Sequence, residues 1–408
     1  GLWHLDNYGN KLIATIVDGA TFEWDSDGST STRATLVTSA PTATRQTLVS
    51  TPDRHLVFFG TETTIGTTST QDDMYIRWSE QEDINTYAPS ATNTAGTQRL
   101  ADGTRIIAAI KGRDAIYIWT NHALFIMRFV GAPFVFSFQQ VGTGCGLIGK
   151  NAAVEVDGSA YWMSENGFFR YTGKLESLPC LVEDYVYDDL NTVPRNHIYA
   201  GLNNLFGEVT WFYPGSGAAS NNRSVTYNYM DSTAERPVWT TSSLSRSSWS
   251  DSQVFGKPHA TEYDSSATSD STVGNTDGVT TYFEHETGTN QIKAGTGSAI
   301  AASIESGDFD LDQKGLAGDG EFMLKIRRVI PDFLQQTGDA RVTLNLKNYP
   351  TDSQASSSLG PFTSTTSTTK IDTRARARAV SLKVDNTSTT QHWKLGTFRL
   401  DIQADGRR

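Results

Sequence analysis

The stretch AAVEVDGSAYWMSENGFFRYTG, residues 152–173, decides the fold that the sequence predicts. Two short apolar and aromatic runs flank Asp157-Gly158. Asp-Gly in that position is a strong hairpin pattern, because both residues tolerate the positive φ angles that a two-residue turn needs. After a second polar turn the chain continues into another aromatic run at 167–171. The stretch therefore predicts three successive antiparallel strands.

The same plan recurs along much of the chain: an apolar strand, a polar or glycine-containing turn, then a strand rich in aromatics. Segments of this kind occupy 2–24, 54–79, 106–129, 152–171, 199–239 and 249–284. Repeats of roughly 40–50 residues with aromatic-ended strands are typical of β-propeller blades. We therefore predict an all-β protein whose residues 1–290 form a degenerate β-propeller-like body, with the number of blades left open.

The pattern changes near residue 300. Strand-like alternation follows, as in Val342, Leu344 and Leu346, and it predicts a separate C-terminal β-sandwich over residues 291–408. The sandwich is expected to be interrupted by a Ser/Thr-rich loop at 351–369.

Helical patterns are scarce. Only 178–190 and 331–336 favour short helices, and the Ser/Thr-rich stretch 265–276 predicts a long exposed loop.

Composition excludes several protein classes. Two cysteines, Cys145 and Cys180, are too few for a disulfide framework in a chain of 408 residues, and neither belongs to a CxxC metal pattern. The nearest approaches to a membrane span, 116–119 and 134–138, have only strand length, so no membrane-spanning segment is predicted. Because Gly1 already precedes a strand-like run, we expect the chain to be a piece of a longer polypeptide.

Charge is distributed unevenly around the net value of −11. Residues 301–408 hold 15 Lys and Arg against 13 Asp and Glu, whereas the remaining 300 residues hold 19 against 32. A protein that grips duplex DNA would display basic patches to neutralise phosphates. The acidic body therefore argues against such a protein, although ordinary solubility accounts for the charge equally well.

The chain shows no pattern for a metal or a cofactor. Its seven histidines lack the spacing of metal ligands. His285 is flanked by Glu284 and Glu286, but alternate residues of a strand face opposite sides. Asp25 and Asp27 mimic the start of a calcium loop, yet no acidic residue follows at the twelfth position, so a hairpin turn is favoured. We predict no metal site and no cofactor.

Catalytic patterns are equally weak. A propeller-type glycosidase would need two carboxyl groups held roughly 5–10 Å apart. The glycine-rich segment 142–146 lacks the Lys-Ser/Thr of a phosphate loop, so a tight connection between blades is favoured. No catalytic residue is predicted, because the sequence singles out no pair among the candidate carboxylates Glu80, Glu82, Asp83, Glu165, Glu183 and Asp184.

One basic run stands out, Arg374-Ala375-Arg376-Ala377-Arg378. At strand period the three arginines share one face and the alanines lie opposite. That face either binds a neighbouring subunit's carboxylates, or phosphates, or is a solvated edge strand protected by its charge. Arg374, Arg376 and Arg378 are therefore candidate subunit-interface residues.

Several segments resemble tail structural proteins of short-tailed bacteriophages. Strand 75–79 ends in Trp-Ser and leads to an acidic turn at 83–87, and 157–169 and 393–402 also match in style, as does the Arg-Ala-Arg-Ala-Arg strand. These features are similar to the tail hub or nozzle family, the packaged-DNA stabilisation proteins that form rings around the DNA channel.

The resemblance implies a non-enzymatic virion subunit, made in the host cytoplasm and located in the phage tail. It implies a closed ring, sixfold in symmetry, around the DNA ejection channel, since heterologous interfaces that close give rings. The partners implied are further copies of the chain, tail adaptor and portal proteins, tail fibres, and DNA that slides through the lumen without sequence-specific binding. An acidic body suits this role, because a negative lumen repels the phosphate backbone.

Two alternatives stay open. A receptor- or polysaccharide-binding tail protein would use aromatics such as Trp211 or Trp239 to stack on sugars, although packing between blades also explains them. A bladed glycoside hydrolase would hold a carboxylate pair in a central pocket.

Overall fold

The computed structural model describes residues 2–51, 53–252, 255–264, 278–293, 295–311, 322–349, 351–352 and 357–406. Within these residues it has 34 β-strands, one α-helix and two 3-10 turns. The helix, α1, is Glu183–Asp189, and the 3-10 turns are Thr68–Thr70 and Arg195–His197. The predicted all-β class is confirmed. No helix in the described parts of the chain has the length and apolar character needed to cross a membrane.

The chain divides into two compact units, Gly1–Glu286 and Thr287–Arg408. The domain boundary drawn from the sequence, after residue 290, stays a prediction. By residue count, the first unit has 18 Lys and Arg against 32 Asp and Glu, and the second has 16 against 13. The charge asymmetry of the sequence is therefore an asymmetry between the two units.

In its described residues the first unit is a series of six antiparallel sheets, each made of consecutive strands. Sheet 1 contains β1 (Trp3–Tyr8), β2 (Lys11–Ile16), β3 (Thr21–Asp25) and β4 (Thr35–Leu36). Sheet 2 contains β5 (Thr44–Val49), β6 (Leu56–Thr61), β7 (Tyr75–Trp78) and β8 (Gly96–Arg99). Sheet 3 contains β9 (Ile106–Lys111), β10 (Ile116–Thr120), β11 (Ala123–Gly131) and β12 (Val135–Thr143).

Sheets 4, 5 and 6 continue the series. Sheet 4 contains β13 (Ala153–Val156), β14 (Ser159–Ser164), β15 (Gly167–Tyr171) and β16 (Leu175–Ser177). Sheet 5 contains β17 (Tyr199–Asn203), β18 (Glu208–Tyr213), β19 (Arg223–Asn228) and β20 (Val238–Ser242). Sheet 6 has three strands among the described residues, β21 (Ser248–Ser250), β22 (His259–Asp264) and β23 (Val279–Glu284).

Local sequence sets the turns of these sheets, as the hairpin between β13 and β14 shows. Asp157 and Gly158 have φ angles of 50° and 83°, and Val156 pairs with Ser159 around them. Positive φ at both central residues defines a type I′ turn, the mirror image of the type I turn, whose twist matches that of the two strands. Here the predicted Asp-Gly hairpin is present as expected.

The first strand of each sheet lies beside the first strand of the next. Contacts run from β1 to β5, β9, β13, β17 and β21 in turn. Buried aromatic side chains fill the spaces between sheets: Trp119 meets Trp162 at 5.4 Å between sheets 3 and 4, and Phe168 meets Trp211 at 4.9 Å between sheets 4 and 5. Each sheet thus buries its faces against its neighbours, and the unit is propeller-like in this respect.

The second unit contains eleven strands among its described residues. In chain order they are β24 (Asn290–Lys293), β25 (Thr296–Ala299), β26 (Ala302–Glu305), β27 (Leu324–Ile330), β28 (Phe333–Thr337), β29 (Ala340–Lys347), β30 (Ser358–Ser364), β31 (Ile371–Ala377), β32 (Ala379–Asn386), β33 (His392–Leu395) and β34 (Arg399–Ala404).

These strands form two larger sheets and two hairpin pairs. Sheet 7 has the order β26-β32-β29-β30 and sheet 8 the order β31-β27-β34, while β24 pairs with β25 and β28 with β33. One hydrophobic cluster takes residues from both larger sheets, including Ile326 of β27 and Leu344 of β29, both fully buried. A shared core of this kind is compatible with the predicted sandwich, which stays a prediction.

Three local predictions differ from the structure. The segment 331–336 is not a helix but the start of β28, because its backbone groups pair with β33. The predicted loop 351–369 contains β30, which pairs with β29. The predicted helix 178–190 is shorter and begins at Glu183, after Val182. The loop predicted at 265–276 lies outside the described residues.

Candidate functional site

A cavity of about 410 Å³ lies where the six first strands of the first unit come together. Residues on or next to each of these strands line it, among them His4, Gln46, Lys111, Glu155, Tyr199 and Trp249. Ligand sites in proteins commonly have volumes of about 300–1,000 Å³. We call this feature the axial cavity.

Side chains hold the cavity wall together where neighbouring first strands do not pair through their backbones. The Gln46 amide of β5 donates to the Ala109 carbonyl at 2.6 Å and accepts from the Ala109 amide at 2.8 Å, so it joins β5 to β9 as a strand would. Trp249 of β21 donates to the Leu202 carbonyl at 2.7 Å. A Cβ on Gly201 would come within 2.6 Å of the Trp249 ring, so the close approach of β17 and β21 requires glycine there.

The acidic groups at the cavity are all engaged. Asp6, beside the cavity, accepts from Lys111 at 2.6 Å and from the Val49 amide at 2.7 Å. Glu155 accepts from the Gly158 amide at 2.6 Å. Asp251 accepts from the side chain of Asn204 at 2.7 Å. These carboxylates are therefore neutralised or hydrogen-bonded within the protein.

Two side chains at the cavity each have a nitrogen atom without a hydrogen-bond partner in the described parts of the chain. The Lys150 side chain has no hydrogen bond or ion pair with any described residue, and burial lowers its pKa. The Nε2 atom of His4 is buried and has no hydrogen-bond partner in the described parts of the chain. Burial, followed by the positive charge of Lys150, lowers the pKa of His4. Both groups line the axial cavity, although they belong to sheet 1 and to the segment before sheet 4.

The predicted basic strand is β31, and its arginines differ from one another. Arg374 and Arg376 are exposed, while Ala375 and Ala377 are fully buried on the opposite face. Arg378 lies beyond the end of β31, where its backbone amide bonds to Lys347 of sheet 7. The structure thus places two of the three candidate residues side by side on the exposed face of sheet 8, and the third at the corner between sheets.

Some of these cations already form ion pairs within the chain, which leaves fewer of them to bind another subunit. Arg376 donates to Asp405 at 2.6 Å, and Arg328 donates to Asp372 at 3.1 Å. Arg374 has no side-chain partner among the described residues. It is the member of the predicted set that can form new contacts without breaking an existing one.

Two further cations lie on the same sheet, and of these Lys325 had no mark in the sequence. Lys325 of β27 lies directly opposite Arg376 in the pairing of β27 with β31. Arg327 is exposed and lies in the bulge where that register shifts. Neither side chain has a hydrogen bond or ion pair with another described residue. Lys325, Arg327 and Arg374, which we call the basic face, are therefore three unpaired cations on one sheet.

A second exposed surface is apolar and belongs to sheet 1. Strand pairing places Leu5, Ala14, Phe22 and Leu36 in one row across β1–β4. Leu5 is 64% exposed and Leu36 52% exposed, and the neighbouring Trp3 is 51% exposed. The opposite face of sheet 1 packs on sheet 2 through a cluster that contains Ile13. We call this uncovered side the apolar face of sheet 1.

The carboxylates considered for catalysis are not assembled at the axial cavity. Glu82 pairs with Arg54 and Glu165 with Arg195, while Asp83 accepts from the Asn85 amide and the Thr86 hydroxyl of its own turn. Glu183 and Asp184 lie in the first turn of α1, and none of the six candidates, Glu80 included, lines the axial cavity.

His285 and the Asp25–Asp27 pattern have structural partners as well. His285 accepts from Arg246 at 2.9 Å, and burial, followed by the charge of Arg246, lowers its pKa to about 4. Asp25 accepts from the Asp27 amide within a turn. In the described parts of the chain no three His, Cys, Asp or Glu residues are grouped as metal ligands.

The aromatic residues considered for sugar stacking are internal or partly covered. Trp211 is fully buried and donates to the Ala152 carbonyl at 3.0 Å. Trp239 stacks on Trp211 at 6.1 Å and donates to the Pro179 carbonyl. Trp211 therefore serves packing between sheets, the explanation that the sequence analysis gave beside sugar stacking.

No protein-family model matches the chain, and comparison with curated proteins gives no match. Among solved structures, the AfRom2 CNH domain is 12% identical, covering 62% of this chain and 74% of its own, with a TM-score of 0.37. The computationally designed Ika8 protein is 8% identical; the match covers 69% of this chain and 70% of that protein, with a TM-score of 0.37. BamB from Moraxella catarrhalis is 12% identical; the match covers 70% of this chain and 83% of BamB, with a TM-score of 0.32. Similarities of this size carry no argument about what the chain does.

Proposed function

We propose that this chain is a structural subunit of a short-tailed bacteriophage tail, a nozzle or hub protein that assembles into a closed ring around the DNA ejection channel. The observation that carries the proposal is the basic face, three unpaired cations on a subunit whose other unit is strongly acidic. Two unlike surfaces of opposite charge on one chain favour a head-to-tail contact between copies, and such contacts form a ring when their rotation closes.

Charge complementarity supports the contact for a physical reason. Arg374 and Arg327 are exposed cations without a side-chain partner among the described residues. Carboxylates of a neighbouring copy's first unit would accept charge-assisted hydrogen bonds from them. Exposed ion pairs contribute about 0.2–1 kcal/mol each, so three of them fix orientation more than they add affinity. The acidic first unit would also repel the phosphate backbone of passing DNA.

The apolar face of sheet 1 supplies the affinity that the charges do not. Exposed contiguous apolar surface on a folded unit marks an interaction site. Leu5 and Leu36 stand at the two ends of one row across sheet 1, with Ala14 and Phe22 between them, so one partner surface can cover the row. We assign this partner surface to a second copy of the chain, in keeping with a ring built from repeated contacts.

The proposal also includes finer features of the fold. The six sheets would be the blades of a β-propeller, supported by the succession of their first strands around the axial cavity. The second unit would be a β-sandwich, supported by the core that sheets 7 and 8 share. The ring would be sixfold and would join the tail adaptor and portal proteins and carry tail fibres.

A charge-removal experiment tests the basic face. Replacing Lys325, Arg327 and Arg374 together by Ala should weaken self-association about tenfold to a hundredfold, because roughly 1–3 kcal/mol of contacts are lost. Sedimentation velocity at low ionic strength measures the effect. The matched control replaces three exposed unit 1 arginines without a described side-chain partner, Arg33, Arg113 and Arg236, and should leave assembly unchanged.

Two outcomes would contradict the proposal. In the first, the triple variant self-associates as strongly as the wild-type chain. In the second, the control variant loses as much self-association as the triple variant. The apolar face is tested in the same way: Leu5→Asp should prevent assembly, whereas Leu205→Asp, at a 50% exposed leucine in the turn between β17 and β18, should not.

A further inference from the structure

We propose that the axial cavity binds a small organic anion, a carboxylate or a phosphate, whose charged group lies between Lys150 and His4. This site is separate from the surfaces that the proposed tail function uses, and the inference stands whether or not the chain forms a ring.

The cavity is built as a site rather than as a packing defect. Its wall is contributed by six different sheets, and two side-chain links, Gln46 to Ala109 and Trp249 to Leu202, hold neighbouring first strands at fixed positions. A volume of about 410 Å³ is enough for a small metabolite. Side chains on rigid strands keep their positions better than side chains on loops, which favours a preorganised site.

The charge of the unengaged groups selects the class of ligand. The carboxylates of Asp6, Glu155 and Asp251 already accept hydrogen bonds from the protein, so they offer little to an incoming cation. Lys150 is a half-buried ammonium group without a partner in the described structure. A partly buried charge is costly unless it is paired, and an anion in the cavity would pair it.

His4 supplies a second, independent reason for an anion. Its Nε2 atom is buried and unpartnered, which is rare for a polar atom in a folded protein. The His4 ring hydrogen-bonds to the Arg45 backbone, so Nε2 carries no proton while the imidazole is neutral. An anion in the cavity offsets the effect of Lys150 and favours the protonated imidazole, whose Nε2–H then donates to a ligand oxygen. One carboxylate or phosphate group has enough oxygens to accept from both side chains at once.

Binding can be measured on the intact chain with simple probes. We expect acetate to show saturation-transfer NMR signals and inorganic phosphate to show broadened phosphorus NMR lines, at millimolar concentration and low ionic strength. Lys150→Met should weaken binding of either probe at least about tenfold, since a charge-assisted hydrogen bond is lost. Lys150→Arg should retain most of the binding, and His4→Phe should weaken it several-fold.

The control is Lys174→Met, because Lys174 is exposed, belongs to the same unit and does not line the cavity. Far-ultraviolet circular dichroism checks that each variant keeps its β-structure. Binding of one probe but not the other identifies the ligand class and supports the proposal. The inference is overturned if neither probe binds wild-type protein, if Lys150→Met binds as well as wild type, or if Lys174→Met loses binding equally.

Discussion

The Gln46 amide offers a sharp test of how the first unit is held together. Gln46→Leu removes both the donor to the Ala109 carbonyl and the acceptor of the Ala109 amide, which lie at 2.6 Å and 2.8 Å. Ala109 is only 1% exposed, so water cannot replace these bonds freely. An unsatisfied buried polar group costs about 1–3 kcal/mol, and the added apolar burial of leucine returns about 1 kcal/mol. Two such groups, the amide and the carbonyl of Ala109, lose their partner, so we expect the free energy of unfolding to fall by about 1–5 kcal/mol.

Urea denaturation followed by tryptophan fluorescence measures this change. Gln98→Leu is the matched control, because Gln98 is exposed and bonds only to the neighbouring Arg99 carbonyl. Its effect should stay within about 0.5 kcal/mol, as for most surface substitutions. If Gln46→Leu is no more destabilising than Gln98→Leu, sheets 2 and 3 are not joined through this side chain and the described cavity wall is wrong.

Two further predictions concern stability. Gly201→Ala should destabilise the protein by about 1–3 kcal/mol in urea denaturation, because the new Cβ displaces the Trp249 ring, while Gly297→Ala, in open space, should be close to neutral. Stability should fall as pH is lowered from about 6.5 to about 4, since unfolded His285 takes up a proton that the folded protein excludes. His285→Gln should remove that part of the pH dependence of the urea midpoint. If the midpoint of the variant changes with pH as steeply as that of the wild type, His285 is not the group responsible.

The central strands of the first unit could be predicted from the sequence because buried aromatics mark them. Strands such as β14 and β18 carry the tryptophans that lie between sheets, and their apolar runs are visible by inspection. Edge strands were harder to find. The second predicted repeat, 54–79, leaves out β5 and β8, because the sequences TRQTLV and GTQR contain few apolar residues.

The candidate sites depend on register and on contacts between distant segments, which a sequence pattern does not contain. The arginine alternation of β31 was visible, but the ion pair of Arg376 with Asp405 and the position of Lys325 opposite Arg376 follow only from strand pairing. The axial cavity joins His4 to Lys150 across nearly 150 residues. Neither residue stands in a motif, and only their lack of partners in the folded chain distinguishes them.

The proposed tail function is tested most directly by locating the chain in a virus particle. Purified virions that contain the chain would be labelled with gold-conjugated antibody against the exposed second unit and imaged by negative-stain electron microscopy. Our account predicts label on the tail axis, at a ring coaxial with the DNA channel, in every tailed particle. Label on peripheral appendages would favour a receptor-binding protein, and particles without any label would contradict a structural role in the tail.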